Sequence, residues 1–176
     1  MSEFKFIRVD CHAVARNDIK NLFFVCYIMK VVILENIRSA YNVGNIIRTA
    51  DALGWKVWLT WYTPSPLTVP KVKKTSLGAE ETVDLKQFWY TKEAVAFAKE
   101  LWLFVVAAEI TPQAITIQNY KKKWTWLAII FGNEVEWVLE ETLKIVDDVV
   151  YIPMNWVKES LNVGQSSAIV MWQLGL

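Results

Sequence analysis

Short β-branched runs alternating with stretches of helical periodicity constrain this chain more than any other feature. Val31-Val32-Ile33-Leu34 reads as a strand, and the polar stretch Glu35-Asn36-Ile37-Arg38-Ser39 follows it. Val43, Ile46, Ile47, Ala50 and Leu53 then fall on one helical face, with Gly54 where a helix C-cap belongs. Lys56 to Thr60 predicts a second strand, ended by Thr63-Pro64-Ser65-Pro66. Thr91 is positioned to cap a helix carrying Ala94, Val95, Ala98 and Leu101. Further strands are predicted at Leu103 to Ala107, Leu127 to Phe131 and Val149 to Ile152, and a last helix from about Val163 to Leu174. The alternation predicts an α/β domain with a mainly parallel sheet and helices on both faces. A length of 176 residues suits one such domain and fits two poorly.

The polar residues gather just after strands: Asn36 and Arg38, then Gly132-Asn133-Glu134, then Pro153-Met154-Asn155. In open α/β sheets ligands bind in the crevice beyond the carboxyl ends of the strands, so a site is expected there. No GxGxxG or GxxxxGK[ST] follows a strand, which removes the common phosphate-cradling loops. The net charge of +1 gives no global positive field. Two local basic runs remain, Lys71, Lys73 and Lys74, and Lys121, Lys122 and Lys123; a solvated surface accounts for such runs equally well. Cys11, Cys26 and His12 supply neither a disulfide framework, a zinc site nor a Ser-His-Asp triad, so no metal is expected. Leu22 to Leu34 is apolar, but it is only 13 residues long and contains Lys30, too short to span a bilayer. A soluble, reducing, cytoplasmic setting is expected.

Three stretches resemble the three motifs of the SPOUT-class RNA methyltransferases, in particular the TrmH-like ribose 2′-O group. The first is Asn36-Ile37-Arg38-Ser39-Ala40-Tyr41-Asn42-Val43-Gly44-Asn45-Ile46-Ile47-Arg48-Thr49-Ala50, and the second is Ile130-Phe131-Gly132-Asn133-Glu134-Val135-Glu136. The third is Ile152-Pro153-Met154 followed by Lys158-Glu159-Ser160-Leu161-Asn162-Val163. Tyr62-Thr63-Pro64 and Lys74-Thr75-Ser76-Leu77-Gly78-Ala79-Glu80 are family-like as well. The resemblance runs from about Lys30 to Leu174, so residues 29–176 are read as the methyltransferase domain. Residues 1–28 are read as a short N-terminal extension or a misassigned start. The resemblance implies an α/β fold with a C-terminal trefoil knot, S-adenosyl-L-methionine as cofactor, a homodimer with its active site near the subunit interface, and a tRNA or rRNA substrate.

Residue by residue, the resemblance implies that Arg48 acts on the ribose 2′-hydroxyl. A guanidinium is protonated at any ordinary pH, so its expected part is holding the adjacent phosphate and stabilising the alkoxide rather than acting as a simple base. A surface helix arginine is the plainer reading. Asn42 matches a functional asparagine, though capping its helix also accounts for it. Glu134 corresponds to the second-motif acid, with helix N-terminal charge as its alternative. Ser160 and Asn162 match third-motif positions near the cofactor and the ribose. Phe131, Gly132, Asn133, Ile152, Met154, Trp156, Ser160 and Leu161 are expected to line the cofactor pocket, where core packing is the alternative. Arg38, Lys71, Lys73 and Lys74 are the expected RNA contacts.

The chain departs from the family mainly in its tryptophans. It has 10 Trp and 6 Gly, where about twelve glycines would be usual. Trp61, Trp137 and Trp156 occupy family glycine positions, and Trp102 stands where a C-cap glycine is expected. Trp55, Trp89, Trp124 and Trp126 also fall at turn-like places, whereas Trp58 and Trp172 tolerate an aromatic. The expectation is that many of these are UGA codons read as glycine. The alternative is a Trp-rich divergent member. Two other functions stay open: a non-catalytic RNA-binding protein with its cofactor loop blocked by Trp156, and an RNA base methyltransferase.

Overall fold

The computed structural model describes residues 28–122, 124–157 and 159–175. The expected N-terminal appendage, with Cys11, His12 and Cys26, lies almost wholly outside them, as do Lys123 and Lys158. The strands are β1 (Lys30–Leu34), β2 (Lys56–Thr60), β3 (Leu85–Phe88), β4 (Phe104–Ala108), β5 (Ile115–Thr116), β6 (Leu127–Phe131) and β7 (Asp148–Tyr151). The helices are α1 (Ala40–Leu53), α2 (Pro70–Ser76), α3 (Thr91–Glu100), α4 (Glu140–Leu143) and α5 (Val163–Gly175).

The strands form one sheet in the order β3-β2-β1-β6-β4-β7-β5, and every pairing is parallel. At its centre Ile33 of β1 registers with Trp58 of β2 and with Ile130 of β6. Alternate residues of each strand face opposite sides. Val32, Leu34, Val57, Leu59, Ile129 and Phe131 join Val43, Ile46 and Ile47 of α1 and Val170 and Met171 of α5 in one core layer. Val31, Ile33, Trp58, Ala128 and Ile130 meet Ala94, Val95 and Ala98 of α3 in the other. Continuous apolar strands are what a sheet buried on both faces needs. No helix among the described residues is long and apolar enough to cross a membrane.

Two expected caps differ in detail. Ser39, not Asn42, caps α1: its hydroxyl accepts from the Asn42 N–H at 3.3 Å. Thr91 is the first residue of α3 rather than its cap, and its buried hydroxyl meets Thr60 at 3.3 Å. Gly44 lets α1 approach α2, since a Cβ there would stand 2.5 Å from Cβ of Thr75.

The ends of α1 and α3 repeat one geometry. After α1 the Trp55 N–H donates to the Ala50 carbonyl at 2.8 Å and the Gly54 N–H to Asp51 at 3.3 Å, with Gly54 at φ 68°. After α3 the Leu103 N–H donates to Ala98 at 2.9 Å and the Trp102 N–H to Lys99 at 3.0 Å, with Trp102 at φ 62°. Both are Schellman closures, which require a left-handed residue. Glycine fills the first and tryptophan the second. A left-handed non-glycine residue costs about 1–2 kcal/mol. Urea denaturation should therefore show Gly54→Ala losing about 1 kcal/mol and Trp102→Gly gaining a similar amount.

Candidate functional site

Because all the strands run the same way, the segments that leave β4, β6 and β7 emerge along one edge of the sheet. There they enclose a cleft of about 310 Å³, which the segment preceding α5 completes. Phe131, Gly132, Asn133 and Glu134 line it from β6, Ile152 and Met154 from β7, and Ser160, Leu161 and Asn162 from the last segment. The second and third motifs thus converge on one mostly apolar hollow with a few polar groups, the form of a small-molecule site.

The loop after β6 is tightly built. A Cβ at Gly132 would stand 2.0 Å from the Trp137 carbonyl carbon, so only glycine permits the chain to fold back there. Buried Asn133 organises the turn from within. Its Oδ1 accepts from the Val135 and Glu136 N–H groups, each at 2.7 Å, and its Nδ2 donates to Glu136 at 3.0 Å. Trp137, at φ 63°, closes the loop through its N–H to the Asn133 carbonyl at 3.1 Å.

Asn42, buried at the start of α1, ties the first motif to the other two. Its Nδ2 donates to the Glu134 carboxylate, and its Oδ1 accepts from Nδ2 of Asn162 at 3.2 Å. Asn162 also caps α5, accepting the Gly164 N–H at 2.9 Å. Arg48 is exposed farther along α1 and does not line the first cleft. It lines a neighbouring groove between α1 and α5 with Tyr41, Asn45, Gln165 and Trp172. Asn162 borders both hollows, so they adjoin at that residue.

Trp156 departs from expectation. Its motif position puts it in the cofactor pocket and makes it a candidate block, yet it is 91% exposed and does not line the cleft. Trp137 is the tryptophan that lines it. Lys71, Lys73 and Lys74 are exposed on α2, and exposed Arg38 stands 3.9 Å from Glu136, which partly answers its charge. Two carboxylates beneath the β6 loop carry no motif in the sequence. Glu35, fully buried after β1, accepts from the Leu139 N–H at 2.9 Å and the Thr142 hydroxyl at 2.5 Å. Glu109, after β4, accepts from Val138 N–H at 2.9 Å and Ile110 N–H at 2.7 Å. Burial pushes the Glu109 carboxyl above the usual carboxylate range, against the opposite pull of those donors. A charged residue directly behind a β-branched run was the available signal for Glu35. Thr63 of the Tyr-Thr-Pro segment is buried too, accepting from Ile37 N–H and donating to the Leu34 carbonyl, each at 3.1 Å.

Residues 29–172 match the model of the SpoU rRNA Methylase family. The chain is 32% identical over 145 residues to a tRNA (guanosine(18)-2′-O)-methyltransferase of Thermus thermophilus, covering 81% of this chain and 72% of that one. A 23S rRNA (guanosine-2′-O-)-methyltransferase of Vibrio vulnificus is 30% identical over 146 residues, covering 81% and 57%. The AdoMet-bound rRNA methyltransferase of Sinorhizobium meliloti superposes with a TM-score of 0.77 at 22% identity, over 83% of this chain and 55% of that one. The chain therefore spans between about half and three quarters of these proteins' lengths.

The Glu134–Asn42–Asn162 chain is coupled through one side chain. Asn42→Ala and Asn162→Ala should each cost about 1 kcal/mol. The double variant should lose less than their sum, as a double-mutant cycle in urea would show.

Proposed function

The chain belongs to the SpoU rRNA methylase family, and on that premise we propose that it methylates a ribose 2′-hydroxyl of tRNA or rRNA, with S-adenosyl-L-methionine as donor. The observation that carries the reading is the convergence of the second and third motif segments on one cleft, beside the groove that holds Arg48. The cleft fits the donor. Its walls are largely apolar, its volume is at the lower end for a small-molecule site, and Gly132 brings main chain to its surface. Phe131, Gly132, Ile152, Met154 and Leu161 would hold the adenosine part. Asn133, Ser160, Asn162 and Glu134 supply polar groups for its remaining atoms. When bound, S-adenosylmethionine supplies the electrophilic methyl group of a sulfonium.

The chain's own part is to hold the ribose hydroxyl in line and to stabilise the oxyanion as its proton leaves. Arg48 is the group for this. Its permanent charge grips the neighbouring phosphate, which takes up the proton, and the same charge stabilises the alkoxide. Asn42 keeps Glu134 and Asn162 in register at the boundary between the two hollows. Lys71, Lys73, Lys74 and Arg38 add phosphate contacts.

The α1–α5 groove carries exposed Tyr41 and Trp172, which supports a second copy of the chain packing there. A homodimer of this kind would bring a partner's surface against Arg48 and double the lysine patches. The C-terminal trefoil knot, formed by the third-motif segment and α5, and a cytoplasmic setting belong to the same reading. Exposed Trp156 does not favour the blocked, non-catalytic alternative.

Incubation with total tRNA and rRNA should yield a 2′-O-methylated nucleoside on digestion. A methylated base instead would overturn the reading. Arg48→Ala should lower the transfer rate about 100-fold while calorimetry shows unchanged S-adenosylmethionine affinity.

A further inference from the structure

We propose that Glu35 and Glu109 are positioning residues which together clamp the loop after β6 and so set the shape of the cofactor cleft. The inference rests on the reading of that cleft as the S-adenosylmethionine site. The sheet order β1-β6-β4 places the strand that emits the loop between the two strands that carry the carboxylates. Glu35 directly follows β1 and Glu109 directly follows β4, so they flank the loop from opposite sides. They take successive main-chain donors: Val138 N–H goes to Glu109 and Leu139 N–H to Glu35, both at 2.9 Å. The Glu35 main chain also fixes the near end of the loop, its N–H donating to the Phe131 carbonyl at 2.8 Å.

Both ends of the excursion are therefore pinned, and the residues between have little freedom. Glu134, whose carboxylate reaches Asn42, lies within the pinned span. So do Gly132 and Asn133 of the cleft wall. A fully buried carboxylate is costly unless its lone pairs are satisfied, and Glu35 meets that cost with the Leu139 N–H at the end of the loop and the Thr142 hydroxyl of α4. Glu109 borders the cleft itself, so its loss should be felt at the cofactor.

The test pairs calorimetry of S-adenosylmethionine binding with amide exchange followed residue by residue. Glu109→Ala should weaken binding at least tenfold while leaving the KM for RNA within twofold. Glu109→Gln, which keeps an acceptor for the Val138 N–H, should recover most of the affinity. Exchange should quicken at Val138 in Glu109→Ala and at Leu139 in Glu35→Ala, while the β6 amides stay protected. If Glu35→Ala fails to fold, Glu35→Met, which keeps the volume and removes the acceptor, takes its place, and faster exchange confined to Leu139 and its neighbours is again expected. Unchanged affinity in Glu109→Ala, unchanged exchange at Val138 and Leu139, or a uniform acceleration across the sheet would each overturn the clamp. If the unaltered protein binds no S-adenosylmethionine, the reading of the cleft fails, and the exchange pattern alone decides the clamp.

A separate observation, the backbone at two tryptophans, carries a second inference: we infer that positions 102 and 137 are glycine in the natural polypeptide, encoded by UGA. Trp102 and Trp137 hold φ of 62° and 63°, a left-handed backbone that Asn36 and Leu77 also hold and that a bulky side chain rarely adopts. Neither indole is well packed, at 76% and 44% exposure, so burial does not offset the strain. The α1 terminus makes the same closure as the α3 terminus with a glycine, Gly54, in place of tryptophan. The coding DNA should show UGA at both positions, and peptides from the source cells should carry glycine there. UGG at either position, or tryptophan in the native peptides, would overturn the inference.

Discussion

The common direction of the seven strands among the described residues is the constraint on which the rest of the structure depends. In a wholly parallel sheet every crossover must return the chain to the same starting edge, so every strand discharges its following loop at the opposite edge. β6 sits between β1 and β4, although 92 residues of sequence separate Asn42 from its partner Glu134. That insertion brings the first motif beside the second. β7 next to β4 then delivers the third. The apolar strand interiors fix the scaffold, and the short polar segments beyond their ends are left to do chemistry.

Polar groups at that edge are mostly engaged with one another. Asn133 folds its own loop, Asn42 joins Glu134 to Asn162, and Glu35 and Glu109 hold the loop from beneath. Where these groups are buried, as Glu35, Asn42 and Asn133 are, each unmade bond would carry a desolvation penalty, which favours one fixed arrangement. A rigid cleft suits positioning catalysis, in which the reacting groups need alignment more than they need a powerful base. Arg48 stands apart, exposed in the adjoining groove rather than in the interior of the cleft.

Much of this was legible in the sequence. β1, α1, β2, α3, β4, β6, β7 and α5 announce themselves through apolar periodicity, to within three residues. β3 does not, because Lys86 and Gln87 interrupt its apolar character. α2 begins at Pro70 and buries only Val72 and Ser76, and α4 has 4 residues, too few for any period to register. The motifs located the cleft-lining residues through the family resemblance. Trp156 misleads because its position in a cofactor motif says nothing about the direction of its side chain, which points to solvent. Glu35 and Glu109 are hidden for a deeper reason. Single carboxylates 74 residues apart become a pair only when strand order is known. The tryptophan excess gained meaning in the same way, from backbone angles at Trp102 and Trp137 that composition cannot show.

The central claim is that the strand-end cleft bounded by Gly132, Met154 and Leu161 receives S-adenosylmethionine beside Arg48. A crystal structure with S-adenosylhomocysteine measures this most directly. The account predicts the adenosine moiety in that cleft, with its sulfur directed toward the boundary at Asn162. Ligand bound elsewhere, or a cleft that stays empty at saturating ligand, would contradict it.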